Sequence, residues 1–109
     1  MKGETFSCPV RTTVDIIGGK WKILIIYNLL SGIKRFGEIK KLIPGITKKV
    51  LSQNLKELEY DGIVKREAYS EVPPKTEYSL TKTGKKLQIV FELLCKWGEE
   101  YMNEDKRTD

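Results

Sequence analysis

The stretch Ile43-Pro44-Gly45-Ile46-Thr47-Lys48-Lys49-Val50-Leu51-Ser52-Gln53-Asn54-Leu55-Lys56-Glu57-Leu58-Glu59-Tyr60-Asp61-Gly62 decides how this chain is read. Pro44-Gly45 stops any helix that precedes it, because proline has no amide hydrogen to donate and glycine tolerates a sharp reversal. Thr47 is then well placed as an N-cap, since its hydroxyl can accept a bond from an otherwise orphaned N–H. At about 100° per residue, Leu51, Leu55 and Leu58 cluster on one side of the helix it starts. Lys49, Gln53 and Lys56 cluster about opposite, with Ser52 beside them. Asp61-Gly62 ends the helix, glycine being the usual C-terminal stop. One face can pack on a core, and the other offers donors and flexible polar groups.

Upstream, Phe36, Ile39, Leu42 and Ile43 give a shorter helical stripe. Two helices joined by a Pro-Gly-Ile turn, the second of them basic, form a helix-turn-helix candidate. Before them, apolar residues from Val14 to about Leu30 recur at helical spacing, among them Ile17, Trp21, Leu24, Ile25 and Leu29. Gly18-Gly19 interrupts that run and predicts a helix break or a contact that only glycine permits. The first dozen residues lack a clear period and read as a lead-in segment.

Downstream of Gly62 the apolar period changes from about 3.6 to 2. Ile63 to Tyr69 reads as a strand, Val72-Pro73-Pro74-Lys75 as a stiff turn, and Thr76 to Leu80 as a returning strand. Thr81 or Thr83 is expected to cap one last helix running to about Met102. Along it Leu87, Val90, Leu94, Trp97 and Tyr101 form a heptad stripe, widened by Phe91 and Cys95. The tail from Asn103 to Asp109 is polar and expected to fray. The order of elements predicts an α+β, mostly helical chain: a winged helix-turn-helix with a C-terminal dimerisation helix. With 109 residues, residues 1–109 are read as a single domain, because a second could not bury its own core.

Composition narrows the function. The net charge is +5, and residues 34–66 carry nine basic and four acidic side chains, so this segment holds the whole excess. A basic middle between neutral flanks suits a nucleic-acid-binding element. The chain has no histidine, which removes every His-based triad, imidazole base and His metal ligand. Its two cysteines, Cys8 and Cys95, match no zinc-ligand spacing, and no phosphate-binding glycine loop occurs. No metal, cofactor or enzymatic activity is expected. The longest apolar run, Ile23 to Tyr27, is far below the roughly 20 residues that span a bilayer. Met1-Lys2-Gly3-Glu4 leads into no apolar signal segment, so a cytoplasmic location is expected.

The polar side chains of the second helix suit a DNA major groove. Lysine can donate to guanine O6 and N7, and glutamine can pair with adenine N6 and N7. Lys49, Ser52, Gln53 and Lys56 are therefore the candidates for bases or flanking phosphates. Thr47 and Lys48 lie at the helix N-terminus, where amide groups and the helix dipole favour a phosphate. Lys65, Arg66 and Lys75 flank or occupy the hairpin, which is expected to lie along the DNA backbone or minor groove. Arg35 is a further phosphate candidate.

In Cys8-Pro9-Val10, Ile17 to Trp21, Arg35 to Ile39, Ile43 to Thr47, Leu51 to Glu59, Asp61 to Val64 and, most specifically, Val72 to Thr81 followed by Gly84, the chain resembles the HxlR-type transcriptional regulators. That resemblance covers nearly the whole chain. It implies a small dimeric bacterial regulator that binds double-stranded DNA, here expected on a near-palindromic operator. The last helix and the segment around Cys8 to Val14 are the expected dimer interface. A winged-helix module that binds only proteins is the rival reading, but such modules usually lose the positive face that Lys48, Lys49 and Lys56 keep.

Cys8 is a candidate redox-sensing residue. Lys2 and Arg11 lie near it in sequence, and positive charge stabilises the reactive thiolate. The resemblance adds that several relatives sense oxidants or electrophiles with a cysteine at the matching position. The alternative is that Cys8 is a small buried hydrophobe. Cys95, in the apolar stripe of the last helix, is read as structural.

Overall fold

The computed structural model describes residues 8–105. Helix α1 spans Pro9–Ile17, with the proline in its first turn, where a missing amide hydrogen costs nothing. The sequence reading placed only a lead-in segment at its start. Val10, Val14 and Ile17 share a helical face, but only Ile17 is buried, so most of that short stripe faces away from the core of the chain.

The expected break at Gly18-Gly19 is present. Gly19 has φ 90°, a value that side-chain-bearing residues rarely adopt, and helix α2 begins anew at Lys20–Leu29. Two-residue strand β1 follows at Lys34–Arg35, then α3 at Phe36–Leu42. Glu38 accepts from the backbone N–H of Arg35 at 2.7 Å, which closes the first turn of α3. Helix α4 spans Lys48–Tyr60, and the Thr47 hydroxyl accepts from Val50 N–H at 3.1 Å, as its position in the sequence predicts.

The hairpin is strand β2, Val64–Tyr69, against strand β3, Lys75–Leu80, paired antiparallel from Val64↔Leu80 to Tyr69↔Lys75. Strand β1 adds to the other edge of β3, giving the order β1-β3-β2. The third strand has no sequence signal, because two residues are too few to show a period.

The core is built from α2, α3, α4 and the inner side of the sheet. Ile25, Ile26, Ile39, Leu51, Leu55, Leu58 and Val64 are fully buried within it. All three leucines expected on the inner face of α4 are therefore there.

The end of the chain differs from its reading as one helix. Thr81 caps a single turn, α5, at Lys82–Lys85, and a separate helix, α6, spans Gln88–Asp105. The Thr81 hydroxyl also donates to the Gly62 carbonyl at 2.7 Å, and Thr81 N–H donates to the Ile63 carbonyl at 2.9 Å. These bonds tie α5 to the start of β2, so the chain must turn again before α6 can leave. A Cβ at residue 84 would collide with the Ile63 carbonyl, which is why glycine stands at this contact.

Among the described residues of α6 only Phe91 is buried, and its ring packs 6.1 Å from that of Tyr27. The radius of gyration is 15.9 Å, against about 13 Å for a compact chain of this length. The excess reflects a helix that projects from the core instead of covering it.

Candidate nucleic-acid interface

Burial of Leu51, Leu55 and Leu58 fixes the rotation of α4, and that rotation exposes the opposite side. Thr47, Lys48, Lys49, Gln53 and Lys56 are exposed, and Ser52 is half-buried. Thr47 has already spent one lone pair of its hydroxyl on the cap, which leaves its hydrogen free to meet an anion. Lys48 and Lys49 stand in the first turn, where the unpaired amides add their own partial positive charge.

The register of the hairpin divides its cations. Arg66 pairs with the buried Tyr78, so the two share the face of the sheet turned toward α4. Arg66, Tyr78, Ser52, Lys56 and Glu59 line one shallow hollow between helix and hairpin. Lys65, one residue earlier, points to the other face. The structure thus brings Arg66 together with α4 and separates Lys65 from it.

Lys75 is held by the hairpin itself. Its ammonium lies 3.9 Å from Glu71 and 3.6 Å from Glu77, and 4.9 Å over the Tyr69 ring. Partial desolvation and the carboxylates of Glu67 and Glu77 push the Tyr69 phenol above its usual range. Arg35 is exposed at the boundary of β1 and α3, opposite Glu77 in the sheet register.

Sequence reasoning missed a contact on the same helix. Glu57 accepts from Gln53 Nε2 at 2.8 Å and from Lys22 Nζ of α2 at 2.7 Å. These hydrogen bonds and the Lys22 charge hold the Glu57 carboxyl below its ordinary range. The i,i+4 spacing of Gln53 and Glu57 was visible in the sequence, but the approach of Lys22 required the packing of α2 on α4.

Both cysteines are exposed. Cys8 is therefore not the buried hydrophobe of the alternative reading, and Cys95 is not sealed in a core. Cys8 immediately precedes α1, near Arg11; Lys2 lies outside the described residues. Cys95 lines a cleft between α2 and α6 with Tyr27, Asn28 and Phe91. Among the described residues no cluster of acidic and cysteine side chains could hold a metal ion, and no helix is long and apolar enough to cross a membrane.

Comparison with known proteins agrees with this geometry. The sequence profile described as HxlR-like helix-turn-helix matches residues 16–106. The HTH-type transcriptional regulator YdeP of Bacillus subtilis is 54% identical over 94 residues, covering 86% of this chain and 73% of that protein. The redox regulator HypR in its oxidised form superposes with a TM-score of 0.81 at 49% identity, covering 85% of this chain and 96% of that one. Diamide-treated YodB from B. subtilis superposes with a TM-score of 0.72 at 40% identity, covering 88% and 96% respectively. An exposed basic helix after a tight turn, a hairpin beside it, and this agreement along nearly the whole chain place the protein in the HxlR-like helix-turn-helix family of DNA-binding transcriptional regulators, which are not enzymes.

Proposed function

We propose that residues 1–109 act in the cytoplasm as a single winged helix-turn-helix domain, which binds a near-palindromic operator in double-stranded DNA as a two-fold homodimer. The observation that carries this reading is the division of α4 into a fully buried leucine face and an exposed Lys49–Gln53–Lys56 face. Helix α4 enters the major groove, with Lys49, Ser52, Gln53 and Lys56 at bases or flanking phosphates. Thr47, Lys48 and Arg35 hold phosphates, and the hairpin lies alongside with Arg66, Lys65 and Lys75. The last helix and the segment from Cys8 to Val14 form the dimer interface, which spaces the two α4 helices by about one turn of DNA, roughly 34–36 Å.

The test is to map protected DNA near the protein's own gene and then measure affinity for that operator. Each side chain that reads a base costs about 1–3 kcal/mol when removed. Lys49→Ala with Gln53→Ala binding as tightly as the wild type would sink the assignment.

Cys8 is the proposed sensing residue. It is exposed at the boundary of α1, within the segment assigned to the interface. The similar proteins include a redox regulator and one whose structure was determined after diamide treatment. Oxidation at Cys8 would then reorient α1 and alter the spacing of the two α4 helices. Operator affinity measured before and after mild diamide should change in the wild type and not in Cys8→Ser. An equal change in both removes Cys8 from the role.

A further inference from the structure

Glu57 occupies an unexpected place for a DNA-facing helix. A carboxylate there repels phosphates, and an exposed i,i+4 contact adds little stability by itself. Its two oxygens are nevertheless both engaged, by different elements. Oε1 accepts from Lys22 of α2 at 2.7 Å, and Oε2 accepts from Gln53 Nε2 at 2.8 Å. An ionised carboxylate can only accept, so the group of Gln53 that faces it must be the NH₂ and not the oxygen. Without that partner, the last torsion of a glutamine is broad and its amide turns readily.

We propose that Glu57 is a positioning residue for base recognition: by taking one Nε2 hydrogen of Gln53, it fixes the hand of the amide. The amide oxygen of Gln53 and its second Nε2 hydrogen are left as an ordered acceptor–donor pair. That pair matches the major-groove edge of adenine, whose N6 donates to the amide oxygen and whose N7 accepts from the amide nitrogen. Lys22 has two roles in this arrangement. It anchors the carboxylate to α2, and it neutralises a charge that would otherwise meet the DNA backbone. The inference rests on Gln53 facing bases, and the experiment separates the two.

A pool of random-sequence duplexes is selected with the wild type, Gln53→Ala, Glu57→Ala and Glu57→Gln. The half-site column that Gln53→Ala flattens is the one Gln53 reads, and adenine should be enriched there. Glu57→Ala should lower that adenine preference about fivefold or more, while the other columns and the thermal midpoint stay close to wild type. Glu57→Gln, which keeps an accepting oxygen, should retain part of the preference. An adenine preference unchanged in Glu57→Ala, or an even loss across all columns, overturns the positioning role and leaves Gln53 as a base reader. If Gln53→Ala flattens no column, the base-facing reading of Gln53 fails and the proposal fails with it.

Discussion

Trp97 and Tyr101 stack with ring centroids 5.2 Å apart and planes 9° from parallel, on a part of α6 with no core behind it. Trp97 is 65% exposed and Tyr101 53%. Ile89, Leu93, Leu94 and Met102 are exposed on the same helix, and Val10 and Val14 on α1. Scattered apolar side chains on a surface need no explanation, but Ile89, Leu93, Trp97 and Tyr101 recur every fourth residue along one side of α6, a stripe that suits the proposed interface. A stripe that served only to close the core of one chain would be buried along its length, whereas here Leu87 and Phe91 pack on the core and Leu94, Trp97 and Tyr101 are exposed.

Trp97→Lys is accordingly expected to leave the fold of one chain intact and to break self-association. Sedimentation at micromolar concentration should give a dimer for the wild type and a monomer for the variant, with unchanged far-UV dichroism. A wild-type monomer would remove the dimer from the proposal.

Thr47→Ala should lower stability by about 1 kcal/mol through loss of the cap on α4. That corresponds to a fall in Tm of roughly 4–8 °C for a chain of this size. Thr47→Ser, which keeps the accepting oxygen, should recover most of it. Equal melting of the alanine variant and the wild type would mean that the hydroxyl bond to Val50 contributes nothing.

Gly84→Ala tests the junction of α5 with the hairpin. The added methyl meets a backbone carbonyl, that of Ile63, which cannot swing aside as a flexible side chain would. The expected cost is about 1–3 kcal/mol, the usual penalty for overpacking. Hydrogen exchange should rise first at Thr81, whose N–H bonds that same carbonyl.

The hairpin cations should differ in their effect on salt dependence. Each lost phosphate contact lowers the slope of log affinity against log salt by about one. Arg66→Ala, beside Lys56 and Ser52, should give that full reduction. Lys75→Ala should give less, because Glu71 and Glu77 already balance its charge. An identical slope in Arg66→Ala and the wild type would place the hairpin away from the backbone.

The helix-turn-helix was legible in the sequence because its signals are local. A proline-glycine stop, a threonine cap and leucines at positions 51, 55 and 58 act within a few residues of one another, and the structure retains all of them. The hairpin was legible for the same reason, since two prolines separate two strand-forming runs, although only the second alternates: β3 buries Tyr78 and Leu80, whereas β2 buries Val64 alone. Strand β1 and the division between α5 and α6 were not legible. The first exists because β3 offers an open edge to Lys34 and Arg35, and the second because Thr81 and Gly84 are held against Gly62 and Ile63. The exposed face of α4 could likewise be listed from spacing, whereas its organisation could not. Arg66 joins that face and Lys65 leaves it by the alternation of a strand whose register is set by pairing with β3. Lys22 reaches Glu57 only because α2 packs on α4, bringing together residues far apart in the chain. Sequence by itself determined the helices of the helix-turn-helix and which side chains are available, because capping and periodicity are short-range, but not the start of α1 or the division of α5 from α6. Only the tertiary structure decided which of those side chains meet, because those distances depend on how separate elements pack.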